Sequence, residues 1–208
     1  MLIAVLPSSM AIADRRLRDR AARGRLISAT ARVLAEREGW DAVTTRRLST
    51  EIEYSQPVIY QHFASMEDLV EAIALEGFGE LAEALGEARH HAAPEEAIGA
   101  VARAYSTYAT ENPALYDAMF TRATRLHFGP QDSAAPLSSA YAELRAAAAT
   151  IAGERDIETL TEVLWAALHG LTTLSRNDRL RPHRDTERLD LLLAQFHATD
   201  SRHLSTRA

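Results

Sequence analysis

The chain contains no cysteine and no lysine. The first absence excludes disulfides, thiolate zinc sites, iron–sulfur clusters and cysteine nucleophiles. The second excludes the phosphate-binding lysine of a P-loop and any Schiff-base chemistry. Aromatic residues are only 6% of the chain, and Val and Ile together number 16. Strands favour those residue types, so the composition argues against a sheet. No apolar run approaches the roughly 18–20 residues of a membrane span. Leu2 to Leu6 is a short apolar stretch without a basic flank, so a signal peptide is not expected. What is plentiful is Ala, with 39 residues, and Leu, with 25, of 208. Both favour helix, and the length suffices for a real core. An all-α protein is expected.

The net charge of −6 hides an asymmetry. Residues 1–63 carry ten Arg against seven acids, and the rest carries thirteen Arg against 22 acids. Six arginines, Arg15, Arg16, Arg18, Arg20, Arg23 and Arg25, fall within eleven residues. A basic N-terminal end on an acidic body suits a polyanion, although solvated surface arginines would look the same. Residues 1–19 are expected to be a disordered basic arm.

Apolar periodicity predicts a helix over residues 20–38, with Leu26, Ile27, Thr30, Val33 and Leu34 as one stripe. Gly39 follows, where a left-handed residue ends helices. Thr44 and Thr45 can cap a short helix to Ile52. Ser55 can cap another, with Pro57 in its first turn and Ile59 and Phe63 facing inward. Ser65 to Asp68 resembles a capping box opening a long helix to about Arg89. Helices then follow Pro94 and Pro113, residues 127–136 form a loop, and Asp156 can cap a long helix to about Arg176. A last helix covers about 185–199. The expected architecture is about nine helices. A helix-turn-helix unit spans 20–66, and a larger helical bundle spans 67–208.

Two short helices joined by a tight turn form the helix-turn-helix pattern, whose second helix enters a major groove. With Ile59 and Phe63 buried, the free face shows Gln56, Pro57, Val58, Tyr60, Gln61 and His62, none of them acidic. Gln56 and Gln61 can pair with base edges, and Pro57 and Val58 can touch a thymine methyl. Arg46 can reach guanine or a phosphate. Thr45, Tyr60 and His62 offer groups for phosphate. Residues 44–63 have no net charge, so sequence-independent attraction must come largely from the arginine-rich end.

The run Gly39 to Leu48, then Ser55-Gln56-Pro57-Val58-Ile59-Tyr60-Gln61-His62-Phe63, then Ser65 to Leu69, resembles the DNA-binding domain of TetR-family bacterial regulators. The resemblance implies base contacts from Arg46, Gln56, Pro57, Val58 and Gln61, and phosphate contacts from Thr45, Tyr60 and His62. Glu53 stands where the family usually has Gly in a left-handed turn, which costs about 1 kcal/mol. Ser49 stands where Ala is usual, and Met66 where a Lys often reaches phosphate.

In the second half, Ile157, Leu160, Leu164, Ala167, Leu171 and Leu174 are spaced as a helix-packing seam, and Leu189, Leu192, Leu193 and Phe196 give the last helix a similar face. Periodicity alone leaves open an intrachain core. The resemblance implies a homodimer through the last two helices. Trp165 to Gly170 is similar to a Trp-x3-His-Gly signature of one TetR subgroup, as are Tyr105, Asn112 to Tyr116 and Met119-Phe120. It implies a small-molecule pocket lined by Tyr105, Tyr108, Tyr116, Met119, Phe120, Trp165 and His169.

The expected function is therefore a cytoplasmic, nucleoid-associated repressor that binds a palindromic DNA operator as a homodimer and is released by a small molecule. No cofactor, metal or membrane is expected. The alternatives are a helix-turn-helix kept only for binding protein, and a helical ligand-binding protein or enzyme. Against an enzyme stands the lack of HExxH, GxSxG and Gly-rich phosphate loops.

Overall fold

The computed structural model describes residues 9–126 and 134–197. These residues are helical throughout, with no strand among them. The helices are α1 (Ser9–Glu38), α2 (Thr45–Glu51), α3 (Gln56–His62), α4 (Met66–His91), α5 (Ala97–Glu111), α6 (Pro113–Asp117), α7 (Ala135–Ala149), α8 (Ile157–Arg176) and α9 (Asp185–His197).

The chain turns where its local chemistry dictates. Gly39 ends α1 with φ +85°, donating its N–H to Ala35 O at 2.8 Å. The Thr44 hydroxyl accepts from Arg47 N, Ser65 from Asp68 N, and the Asp156 carboxylate from Thr159 N. Each satisfies an N–H that the first turn leaves orphaned. Glu53 takes up the left-handed conformation with φ +56°, as its family position implied.

Several expectations are corrected. Residues 9–19 are not a disordered arm but the first turns of α1; residues 1–8 lie outside the described residues. Arg is a good helix former, and Ala21 and Ala22 carry the helix across the join. The buried stripe of α1 is Ile27, Ala31, Leu34 and Ala35, while Leu26 and Val33 are exposed. Ser55 adopts N-cap geometry, but its hydroxyl makes no capping bond. Phe63 is only half-buried. Pro136 lies in the first turn of α7 rather than in a loop, where its missing N–H costs nothing. A five-residue π-turn, Ala118–Arg122, follows α6.

The α8 seam divides. Leu160 and Leu164 belong to the chain's own core, whereas Leu174 is exposed and Ala167 and Leu171 are half-exposed. Val163 is also exposed, and a Cβ built at Gly170 would meet nothing within 4 Å. Residues 163, 167, 170 and 174 thus form an open heptad-spaced face, joined in exposure by Leu191 of α9.

One contiguous core holds the two units together, running from Ile27, Leu48 and Ile59 to Leu144, Leu164 and Leu193. Helix α4 packs on α1 and, along its length, on α5 and α7. Alanines at 140, 147 and 148 give α7 a thin buried face.

Removing the Cβ strain at residue 53 should stabilise the fold. Glu53→Gly is expected to raise stability by about 1 kcal/mol, or about 2–4 °C in Tm, in thermal melts. A lower Tm would show that the Glu53 side chain contributes more than its backbone geometry costs.

Candidate nucleic-acid interface and effector site

Helix α3 is held from behind by Ile59, which is 1% exposed. Gln56, Pro57, Tyr60 and Gln61 are exposed on its outer side, and Val58 and His62 are half-buried. On α2, Arg46 is exposed and Thr45 half-buried. Arg46 and Arg47 differ sharply. Arg47 lies 3.2 Å from Glu38 and 2.9 Å from Glu51, while Arg37 lies 2.5 Å and 3.5 Å from the same two carboxylates. Arg46 makes no ion pair among the described residues; its carbonyl accepts the Ser49 and Thr50 hydroxyls. The zero net charge of residues 44–63 therefore conceals a neutralised internal network beside a free guanidinium. Helix α1 passes the C-terminal end of α3, where Arg20 donates to Gln61 O at 3.1 Å. Burial first, and then the charges of Arg20 and Arg23, hold the His62 pKa below the ordinary histidine value. A neutral ring can offer one N–H donor to a phosphate.

The aromatic residues assemble in the bundle. The Tyr105 and Tyr116 hydroxyls are 2.8 Å apart, and the Tyr116 hydroxyl lies 2.7 Å from His169 Nδ1. His169 Nε2 is 3.4 Å from the Thr173 hydroxyl. Rings extend this chain: Tyr116 and His169 are stacked at 5.7 Å, and Phe120 packs on Tyr116, His169 and Trp165. Tyr108 and Met119 turn instead toward α4, where the Tyr108 hydroxyl donates to Gly77 O at 2.8 Å and approaches Met119 Sδ. Five of the seven expected residues thus form one connected group, with Tyr108 and Met119 sealed beside Gly77.

Burial dominates the electrostatics here. It pushes the Tyr105 hydroxyl up to about 12 and raises the Tyr116 and Tyr108 pKa values further. It also lowers the His169 pKa, with Arg176 as the second cause. The group is therefore uncharged at neutral pH, with hydroxyls and one imidazole as its polar points. An apolar setting with a few convergent polar groups is the usual character of a small-molecule site. Among the described residues, no His, Asp and Glu cluster is arranged to hold a metal ion, and no helix is long and apolar enough to cross a membrane.

Further residues belong to this site. Phe78 meets Phe120 edge-on at 5.2 Å, and Tyr141 meets Trp165 at 6.3 Å. Arg176 sits 5.0 Å above the Tyr116 ring and donates to Pro113 O at 2.5 Å. A guanidinium over a phenol face is a favourable cation–π contact. The Trp-x3-His spacing carried Trp165 and His169, but nothing local marked Phe78, Tyr141 or Arg176.

Between the two sites lies α6. The Glu36 carboxylate of α1 accepts the N–H groups of Ala114 and Leu115 at 3.0 and 3.1 Å. The Trp40 indole donates to Ala114 O at 2.8 Å. Arg32 reaches Glu80 of α4 and Asn112 Oδ1. Tyr116, at the other end of this five-residue helix, is the centre of the aromatic group.

Known proteins share this arrangement. Residues 26–73 match the family described as bacterial regulatory proteins, tetR family, and residues 98–196 match the tetracyclin repressor-like C-terminal domain. An uncharacterised helix-turn-helix-type transcriptional regulator of Mycobacterium tuberculosis is 31% identical over 140 residues, 67% of this chain and 63% of that protein. The chain thus spans under two thirds of that relative's length. A solved protein of unknown function from Rhodococcus sp. RHA1 shares the fold with a TM-score of 0.69, 23% identity and coverage of 84% and 93% of the two chains. The TetR family transcriptional regulator PfmR from Thermus thermophilus does so with a TM-score of 0.61, 21% identity and coverage of 84% and 97%. With both halves of the chain matched, and with a left-handed Glu53 turn presenting an outward α3 ahead of a helical bundle, the protein belongs to the TetR family of bacterial regulators.

Proposed function

We propose that the chain is a ligand-responsive repressor that binds a palindromic DNA operator as a homodimer and is released by a small molecule. The observation that carries this reading is the face of α3. Ile59 is buried, yet Gln56, Pro57, Tyr60 and Gln61 stand free, uncovered by any other part of the described chain. Residues that can read base edges, on a helix held only from behind, suit a major groove. Arg46, Gln56, Pro57, Val58 and Gln61 are assigned to bases, and Thr45, Tyr60 and His62 to phosphates.

The open face of α8 and α9, with Val163, Leu174 and Leu191, supports a homodimer through those helices. A two-fold pair would set two reading heads about 34–36 Å apart, one turn of duplex. The group of Tyr105, Tyr116, Phe120, Trp165 and His169, with Tyr108 and Met119 beside it, is the proposed effector site. Its aromatic rings and uncharged hydroxyls, with the Arg176 guanidinium beside Tyr116, favour an aromatic effector with one or two polar groups.

Release then follows from α6. An effector that displaces the Tyr116 ring moves a short helix whose first turn is bonded to Glu36 and Trp40 of the DNA-binding half. If the effector binds the shifted dimer more tightly, operator affinity falls by the ratio of its two affinities.

Selection of bound sites from random duplexes tests the reading directly, with a palindrome of half-sites about one turn apart expected. On that site, Gln56→Ala is expected to cost about 1–3 kcal/mol at one base pair and relax preference there, while Tyr60→Phe weakens all duplexes alike. Uniform loss from both would undo the division between bases and phosphates. Val163→Glu with Leu174→Glu should give monomers in sedimentation and weaken operator binding more than tenfold; an intact dimer would remove this face from the interface.

The His169 pKa supplies a pH test. Burial holds its folded pKa below the ordinary histidine value, so its contribution to stability is full above that ordinary value and is lost as pH falls through the folded one. Tm should drop on acidification from pH 7 toward 5, and His169→Gln should flatten part of the drop. Superimposable Tm profiles would show that the imidazole is not held neutral.

A further inference from the structure

The arginines differ in their partners, and among the described ones that form no ion pair, Arg46, Arg103, Arg155, Arg176, Arg179 and Arg181 are scattered while the rest cluster on α1. Nine arginines, from Arg32 to Arg188, form the thirteen ion pairs among the described residues. Arg15, Arg16, Arg18, Arg23 and Arg25 form none, although Asp14 and Asp19 are near in sequence. These five, with Arg20, lie on the first half of α1, and residues 13–23 of that helix are exposed on every side. A 66% exposed Leu17 shows that no other part of the described chain covers it.

The position of this segment is fixed at one end. Arg20 is bonded to the last turn of α3, and a Cβ at Gly24 would lie 3.6 Å from His62 Nδ1. Helix α1 therefore leaves the body of the protein beside the C-terminal end of the helix that carries Gln56 and Tyr60. Residues 9–19 continue it by about 16 Å at the standard rise. Arg16 falls one turn from Arg20 and two from Arg23, on the face that meets α3. A seven-residue helix laid in a groove about 12 Å wide brings its ends to the phosphate walls.

We infer that the first turns of α1 form a rigid basic rod that grips duplex phosphates outside the segment read by α3, through Arg15, Arg16 and Arg18. The partner is the DNA backbone, because the rod has several guanidiniums without ion pairs and an origin at the edge of the recognition helix. A strand carries one charge per about 3.4 Å of axis, so a rod of this length passes several phosphates. Because the segment is helical before binding, contact orders less chain than a disordered arm would. The inference rests on the reading of α3 as a duplex-binding helix.

The test uses the full chain and a duplex recovered by selection, in fluorescence anisotropy over a series of salt concentrations. Arg15→Ala/Arg16→Ala/Arg18→Ala should weaken binding at least tenfold near about 150 mM salt and flatten the slope of log K against log salt by about 2–3 per protomer, with the selected motif unchanged. Trimming the duplex to the selected motif should erase most of the difference between native and variant proteins. Ala21→Pro breaks the rod from the body while leaving every arginine; with an unchanged melting temperature, it should lose as much affinity as the triple variant. An unaltered salt slope in the triple variant, or native affinity in Ala21→Pro, would overturn the inference. So would a triple variant that loses binding to anionic phospholipid vesicles while keeping its duplex affinity. A native chain that binds no duplex would instead overturn the function proposed for α3.

Discussion

A carboxylate on α1 takes up two backbone N–H groups at the start of α6, and the attachment of α6 to the helix-turn-helix half depends on that contact. Helix α6 has five residues, too few to be stable alone, since nucleation fixes several dihedrals before one hydrogen bond is gained. Its first residue is Pro113, which has no N–H, and the orphan donors of Ala114 and Leu115 are answered by Glu36. Trp40 and Arg176 then take the carbonyls of Ala114 and Pro113 from two other directions. The helix is held by its neighbours more than by itself, and one short element carries both the Glu36 contact and Tyr116.

The same economy of charge runs through the surface. Glu38 and Glu51 hold Arg37 and Arg47, and Asp68 and Glu71 hold Arg125 on the far side of α4. Exposed pairs of this kind contribute little stability each. Their larger effect is on the field: nine arginines of the described residues are matched to acids, and the densest run of unmatched ones, Arg15 to Arg25, lies on the first half of α1. With no lysine, each of these cations is a planar fork suited to phosphate and guanine.

Much of this was legible in local chemistry. Thr44, Ser65 and Asp156 could be read as caps, Gly39 as a left-handed position, and Ile59 as the buried anchor of α3, because each depends on neighbours within a few residues; the left-handed Glu53 was legible only through the family resemblance. What depended on distant partners was not legible. Leu26 and Val33 match the helical period, yet the core reaches only Ile27, Ala31, Leu34 and Ala35. Leu160 and Leu174 share one heptad pattern, but α7 and α5 cover only part of α8. The first turns of α1 are dominated by exposed arginines, with Leu17 uncovered, so a sequence rule built on burial reads them as unstructured. Phe78, Arg176 and Glu36 join the central group from 40 to 80 positions away, with no spacing to announce them.

Gly77 shows how narrow the tolerance of this arrangement is. A methyl group there would stand 2.8 Å from the sulfur of Met119 and 2.9 Å from a Leu115 carbon, and the bare backbone is also what lets the Tyr108 hydroxyl reach its carbonyl. Gly79, two residues along the same helix, faces no such crowding. Sequence drift is thus more constrained at one point of α4 than at the next, and the constrained point is where the longest helix of the bundle touches the segment bearing the aromatic group. An alanine at 77 would oblige the tips of Met119 and Leu115 to move aside, a repacking felt first on the segment bearing the aromatic group.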